Sequence, residues 1–408
     1  MRRRLVIGAV TLAPLAPLAA ACSSSGSSGG STSGSASAGS PIKLMVIYPQ
    51  QSTVYELPAI GDAATAAVDD VNAHGGVNGH QLQLIEYNEG VNPNLAAKCG
   101  TEAAADHVSA VVGTFSTFSN NFCPQLVAAH IANFGNEPTE TLDNTSPNSF
   151  PFEGGAPVEY VDTGVLLGNL GCKRVGVIRI DSVALQQSED NLAAGVKSVG
   201  GQVVSDVPAP FSTTDYTSEV AKVASEKADC VAPVLAAEGM AAALPAIHQQ
   251  LPSAHMAWTE AQFPPDDVAG QAAADAGQYA VTAALPASDT SDPSVAHFDA
   301  DMKKYEPAQK ALEEQGEDAW AAVMAFATVA KGLPNYESQT VLTALSKECS
   351  LNVPLFRTVD YCKPGPVAKA PRLFNTSAYE LKVQGDNYVL YKPDPVNAAS
   401  VLGASAGV

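Results

Sequence analysis

Ile60-Gly-Asp-Ala-Ala-Thr-Ala-Ala-Val-Asp-Asp-Val-Asn-Ala-His-Gly-Gly-Val-Asn-Gly79, followed by Gln81-Leu-Gln-Leu-Ile-Glu-Tyr87 and Ser109-Ala-Val-Val-Gly-Thr-Phe-Ser-Thr-Phe-Ser119, decides the fold of this chain. Ile60, Ala63, Ala64, Ala67, Val68 and Val71 fall on one helical stripe, with Asp69 and Asp70 expected off it. Asn72 and the Gly75-Gly76 pair end the helix, because glycine takes the left-handed C-cap conformation without a Cβ clash. Gly79 turns the chain into a strand in which Leu82 and Leu84 alternate with Gln81 and Gln83. A second helix over Asn94 to Asp106 leads to the buried-type strand Ala110-Val-Val112, which breaks at Gly113 into a run of hydroxyl side chains. Such a parallel β-α-β-α-β unit predicts a ligand cradle at the carboxyl edge of a sheet.

The same rhythm runs outward in both directions. Ile42 to Tyr48 is the strand before this unit, and Ser52 and Thr53 in the loop after it are candidate polar contacts. Ile131 to Phe134 is a short strand, and Gly135 to Thr141 is the next loop at the same edge. Gly154-Gly155-Ala-Pro157 marks a first crossing between lobes. Strands at Arg174–Ile180, Gln202–Val204, Cys230–Leu235, His255–Glu260 and Tyr279–Leu285 then alternate with helices, and Pro286 marks a second crossing. Ala319 to Lys331 is an apolar helix expected in the first lobe, and Tyr379–Val383 with Tyr388–Tyr391 is a terminal hairpin. The expected class is α/β, with two wound lobes around a cleft where a small ligand binds. Lobe 1 is expected over residues 41–157 and 287–374, lobe 2 over 158–286 and 375–392, and a C-terminal tail over 393–408.

Charge and motifs exclude several function classes. The net charge is −20, from 42 acidic and 22 basic residues, so the basic patch that a nucleic-acid partner requires is missing. Neither G-x-x-x-x-G-K nor G-x-G-x-x-G occurs. A hydrolase lacks support: there is no H-E-x-x-H, the G-x-S-x-G at Gly26 to Gly30 lies in a flexible segment where no strand-turn-helix elbow can form, and His74 and His80 read as surface residues. No catalytic residue and no cofactor is expected.

The N-terminus reads as an export signal. Arg2-Arg3-Arg4 precedes an apolar stretch from Leu5 to Leu18, and Leu18-Ala-Ala-Ala-Cys22 supplies small residues before a cysteine. This resembles a bacterial lipobox, with the leucine one position further from the cysteine than usual. The resemblance implies a signal peptide over residues 1–21, lipidation at Cys22, and a Ser/Gly tether over 22–40; an ordinary secretory signal cut near Ala21 is the alternative. Of the seven cysteines, Cys99, Cys123, Cys172, Cys230, Cys349 and Cys362 remain as disulfide candidates in an exported chain, and the preferred set pairs neighbours along the sequence. No C-x-x-C spacing occurs and the histidines are scattered, so no metal site is expected.

The Asn72-Ala-His-Gly-Gly-Val-Asn-Gly79 motif, the strand after it, and Val111-Val-Gly113 with its hydroxyls resemble type I periplasmic binding proteins. Among these the branched-chain amino-acid (Leu/Ile/Val) receptors of ABC importers are most similar. Val268 to Tyr279, with Gly270 and Gly277, resembles a further family turn, and the Ala319 helix resembles its closing helix. The resemblance implies two Rossmann-like lobes, a three-segment hinge whose third crossing falls near Asn375, and closure on a ligand. It carries Thr117 over as the hydroxyl that holds a ligand carboxylate, beside Ser116 and Ser119 at the same strand-to-helix transition, and Thr139 as its partner. Glu137 replaces a family alanine. Glu260 aligns with the ammonium-binding glutamate, Glu238 is a second candidate, and Trp258 is a candidate apolar wall. Val183, Ala184, Ala236 and Ala237 stand where the family often has aromatics, which implies a roomier cleft or a different ligand.

The expected function is therefore a lipid-anchored, extracytoplasmic solute receptor on the outer face of the cell membrane. It would be monomeric, would capture an amino acid or similar small polar solute, and would hand it to ABC permease subunits. A sensing module of the same fold is the alternative.

Overall fold

A computed structural model describes residues 39–52, 55–269, 277–309 and 312–404. Cys22, Thr53 and Gly270 lie outside the described residues, as do the side chains of Val183 and Ala184.

The apolar run of β1 (Gly39–Tyr48) is covered on both faces, as a central parallel strand requires. It pairs in parallel with β2 (His80–Asn88) on one side and β3 (Ala110–Val112) on the other. β4 (Ala132–Phe134) and β5 (Ser149–Phe150) complete a parallel sheet in the order β2-β1-β3-β4-β5. Helix α1 (Pro58–Ala73) lies on one face, with its Ile60, Ala63, Ala64, Ala67 and Val68 stripe in the core. Helices α2 (Pro93–Ala105) and α3 (Ser119–Ala128) pack on the other around Met45, Ile47 and Val111.

The turn after α1 explains its own motif. Gly75, Gly76 and Gly79 all have positive φ, and Gly76 N–H closes onto Val71 O at 2.9 Å. Asn72 then clasps the next strand, accepting from Leu82 N–H at 2.7 Å and donating to Leu82 O at 3.0 Å. Asn78 donates to Lys331 O at 3.1 Å. The motif is therefore a structural joint. Asp70 differs from expectation: it is only 6 % exposed, because a helix far along the chain covers it and His297 lies 3.3 Å from its carboxylate.

After the short helix α4 (Thr141–Thr145) and β5, the chain crosses into α5 (Gly155–Asn169) and a second sheet. There β6 (Arg174–Ile180), α6 (Val183–Ser198), β7 (Gln202–Ala209), α7 (Thr217–Ser225), β8 (Cys230–Val234), α8 (Ala237–Gln250), β9 (His255–Thr259), α9 (Pro265–Ala269) and β10 (Gln278–Thr282) follow. The chain then returns to the first sheet with α10 (Pro293–Tyr305), α11 (Glu314–Ala330) and α12 (Ser338–Leu345). Of these, α10 and α11 pack on α1. It crosses a third time into β11 (Ser377–Gln384) and β12 (Asn387–Leu390), which add antiparallel to β10 and give the order β12-β11-β10-β9-β8-β6-β7. These are two α/β domains, one with a parallel and one with a mixed sheet.

Three differences have physical reasons. Residues expected as a tail form β13 (Val396–Asn397), paired with β11, and α13 (Ala399–Ala404), whose fully buried Leu402 joins the core against α5 and α6. Helix α11 starts at Glu314, five residues before the expected Ala319, so an acidic turn is carried into the interior. Cys172–Cys230 and Cys349–Cys362 are disulfides, but Cys99 and Cys123 are free. Both thiols are buried in the apolar layer between α2, α3 and the sheet, where free cysteine packs as a small hydrophobe. Burial pushes the Cys99 thiol up to about 12.

Gly113 deserves its glycine. Its φ is +57°, and a Cβ there would meet the Ala319 backbone at 2.4 Å. The missing side chain lets the first turns of α11 press against the carboxyl end of β3.

Candidate functional site

A cleft of about 890 Å³ opens where the carboxyl ends of the parallel strands of both sheets face each other. The first lobe contributes Phe115 and Thr117 after β3, Glu137 to Thr141 (without Pro138) after β4, and Gln315 on α11; the second contributes Leu185 to Ser188 and Asp190 on α6, and Thr259, Ala261 and Gln262 after β9. Glu159 and Tyr160 on α5 also line it. Loops at the carboxyl ends of parallel strands are where α/β ligands bind. A second cavity, of about 790 Å³, lies at the amino end of β1 and is lined by first-lobe residues alone, so hinge closure cannot enclose a solute there.

The hydroxyl loops are held by one buried carboxylate. Asp143 Oδ2 accepts from Ser119 Oγ at 2.6 Å, Glu140 N–H at 2.9 Å and Thr139 N–H at 3.2 Å, and Oδ1 accepts from Asn136 Nδ2 at 3.2 Å. Burial still pushes its carboxyl up to about 6. Thr139 Oγ1 donates to Ser116 O at 2.5 Å and so ties the loop after β4 to the loop after β3. Glu140 Oε2 accepts from Asn120 N–H at 2.8 Å. A helix N-terminus is the natural seat of an anion, and in α3 the chain's own carboxylate takes part of it.

On the facing side, Ser182 caps α6 by accepting from Leu185 N–H at 3.2 Å. Arg179 is held by Asp206, with Nη2 to Oδ2 at 2.9 Å, and donates to Gln186. Thr259 and Gln262 form a capping box at the turn after β9.

The floor of the cleft is acidic. Burial raises the Glu137 carboxyl to about 8, helped by the charge of Glu314 and opposed by a hydrogen bond from Gln315. Glu159 lines the cleft beside it, and Glu153, Glu314, Glu317 and Asp318 stand behind; all five are buried and all are raised first by desolvation. Glu159 and Glu314 stand close enough for each to influence the other's titration. No Lys, Arg or His is among the described lining residues of the cleft.

A family model described as "Periplasmic binding protein" matches residues 41–368. The chain belongs to the periplasmic binding protein family. Its architecture is that of the type I members. A fatty acid ABC transporter substrate-binding protein from Thermomonospora curvata superposes with a TM-score of 0.75 at 16% identity, over 88% of this chain and 92% of that one. A solute-binding protein of an R. palustris ABC transporter, in complex with 4-hydroxybenzoate, gives 0.71 at 18% identity, over 88% and 97%. The branched-chain amino acid transporter substrate-binding protein of Streptococcus pneumoniae, in complex with isoleucine, gives 0.70 at 17% identity, over 88% and 99%. No curated protein sequence matches the chain.

Within this periplasmic binding protein, the residues singled out by sequence separate into two groups. Thr117, Glu137 and Thr139 line the cleft together. Ser116 and Ser119 lie just behind it: Ser116 Oγ accepts from Phe118 N–H at 3.0 Å, and Ser119 serves Asp143. The other three do not reach it. Glu260 is 5 % exposed, and its Oε2 accepts from Glu314 N–H at 3.2 Å, so the carboxylate is turned to the start of α11. Trp258 is 1 % exposed and donates from Nε1 to Tyr388 Oη at 2.7 Å, which makes it a core residue and not a cleft wall. Glu238 sits on the exposed first turn of α8, outside the lining. Sequence reasoning missed Glu159, Tyr160, Gln186 and Gln315. The polar run Glu313-Glu-Gln-Gly-Glu-Asp318 before an apolar helix was the available signal, because so many acids at one helix start mark an N-terminus.

Proposed function

We propose that this protein is an extracytoplasmic solute receptor for an ABC importer, closing its lobes around a small amine-bearing polar solute of the amino-acid kind. The observation that carries the reading is the cleft itself: it is lined from both lobes, rich in hydroxyls, amides and carboxylates, and without a cationic side chain. A protonated amine there favours the ionised form of the raised Glu137 carboxyl and pairs with it, whereas a ligand that is only an anion meets no counter-charge. Of the ligands named with the similar folds, isoleucine carries an ammonium and 4-hydroxybenzoate does not. The ammonium partner is thus moved from Glu260 to Glu137, and a ligand carboxylate must share the α3 N-terminus with Glu140.

The solute is bound, not transformed. Closure brings lining groups of both lobes onto it at once and excludes water, which strengthens each charge contact. Family membership supports export and small-solute binding, and the Leu18–Cys22 sequence supports lipidation at Cys22, with residues 22–40 as tether. Lobe 1 spans residues 41–157 and 287–374, and lobe 2 spans 158–286 with the β11–β12 hairpin and the C-terminal β13 and α13. ABC permease subunits are the partners.

Thermal-shift and calorimetric titration with amino acids, amines, benzoates and fatty acids tests the reading. A saturable response to an amine-bearing solute, weakened by Glu137→Gln, is expected. A response confined to benzoates or fatty acids overturns the solute class, and no response across the panel overturns the receptor reading.

A further inference from the structure

The buried carboxylates behind the cleft floor form a compact group at the point where the chain crosses between lobes. One oxygen each from Glu153, Glu159 and Glu314 lie within 4.8 Å of one another. Glu153 stands on the first crossing, between β5 and α5, and its Oε2 accepts from Gly155 N–H at 2.6 Å. Glu314 begins α11, and its Oε1 accepts from Ala283 N–H on the second crossing at 2.5 Å. The third crossing abuts the same point, since a Cβ on Gly154 would lie 3.0 Å from Asn375 O.

The protein satisfies these groups only in part, and Glu314 Oε2 has no partner. Glu153 is 1 % exposed and its Oε1 has no hydrogen-bond partner. Asp318, one turn into α11, is 3 % exposed with neither oxygen hydrogen-bonded, and the charge that acts on it most strongly is Glu153. None of the strongest influences on Glu153, Glu159, Glu314 or Asp318 is a Lys, Arg or His. Two helix N-termini, of α5 and α11, offer roughly half a positive charge each, far short of four carboxylates. A buried, unpaired carboxylate costs several kcal/mol unless it is neutralised or coordinates a cation.

We propose that Glu153, Glu159 and Glu314, with Asp318 behind them, bind one divalent metal ion of the Ca²⁺, Mg²⁺ or Mn²⁺ class at the hinge. All donors are hard carboxylate oxygens, the set these ions prefer over softer metals. Oxygens on one Ca²⁺ lie at most about 5 Å apart, twice the usual bond length, and the triad already meets that limit. The ion joins α5 and α11 across two crossings and so stiffens the joint on which the lobes swing. The site shares Glu159 with the cleft lining, but it needs no solute and stands if the solute reading fails.

The full-length protein is stripped with EDTA and titrated calorimetrically with CaCl₂, MgCl₂ and MnCl₂, with no solute present. One ion per chain is expected, with Mn²⁺ broadened in its spin resonance on binding. Glu153→Gln and Glu314→Gln should each weaken binding about 10–100-fold or more, the scale set by loss of groups that hold a metal, while the exposed hairpin variant Asp386→Asn leaves it unchanged. The wild-type titration decides the matter even if a variant fails to fold. Absence of saturable binding up to about 10 mM, beyond the weakest dedicated protein sites, overturns the proposal. So does unchanged affinity in both glutamine variants, or a response to 1,4-diaminobutane and to none of the ions, which gives the acids to the solute.

Discussion

Asp143→Asn tests how the hydroxyl loops of the cleft are held. Asp143 is almost fully buried, and its carboxyl is pushed from 3.8 to about 6 by desolvation, against the hydrogen bonds from Ser119, Glu140 and Thr139. A carboxyl whose folded pKa is raised binds more protons folded than unfolded between those two values, so stability falls as pH rises through that window. The full cost above the folded pKa is about 3 kcal/mol, and about 1.5 kcal/mol of it develops between pH 5 and 8. Asparagine cannot ionise, yet its amide oxygen can still accept from Ser119 and the two backbone N–H groups. Urea unfolding of wild type and Asp143→Asn, followed by tryptophan fluorescence at pH 5 and 8, should show the difference moving by about 1.5 kcal/mol in favour of Asn at the higher pH. Asp143→Ala instead strands the buried Ser119 hydroxyl and Asn136 amide and should cost about 2–5 kcal/mol at pH 5. A wild-type-minus-Asn difference that stays flat within about 0.5 kcal/mol across the range would refute the raised carboxyl.

Other expectations follow from single contacts. Trp258→Phe removes the donor to Tyr388 Oη and should cost about 1–3 kcal/mol in urea unfolding, with solute affinity unchanged by calorimetry. Gly113→Ala combines a positive φ with overlap on the Ala319 backbone; about 2–5 kcal/mol is lost, read as a lower urea midpoint. The Cys172–Cys230 bridge spans 58 residues and Cys349–Cys362 spans 13, so replacing each pair by serine should lower stability by about 4 and about 3 kcal/mol in the chain-entropy picture. Alkylation and mass spectrometry should find Cys99 and Cys123 unreactive until the protein unfolds, since both are buried thiols.

The backbone plan was legible in the sequence. Apolar periodicity located α1, β1, β3 and most second-lobe strands, and the Gly75-Gly76 and Gly79 positions marked turns that need positive φ. Pairing cysteines in order along the chain matched Cys172–Cys230 and Cys349–Cys362 and failed for Cys99 and Cys123, which are free. The site was half legible: Thr117, Glu137 and Thr139 meet in the cleft, but Glu260 and Trp258 face inward. Alternation along β9 places Trp258 and Glu260 on the same side of the strand, yet the turn that begins at Glu260 redirects its carboxylate to α11.

What the sequence determined by itself is where each strand and helix lies and which face of it is apolar, because those depend on neighbours within a turn or two. What only the tertiary structure decided is which carboxylates lose water. Asp70, Glu153, Glu159 and the Glu314–Asp318 turn read as solvated acids in isolation. They are buried because segments far away in the chain, α10 over Asp70 and the convergent crossings over the others, cover them. Desolvation depends on every atom around a group, whatever its sequence distance, so the chemistry of the cleft floor emerges only when both lobes are assembled.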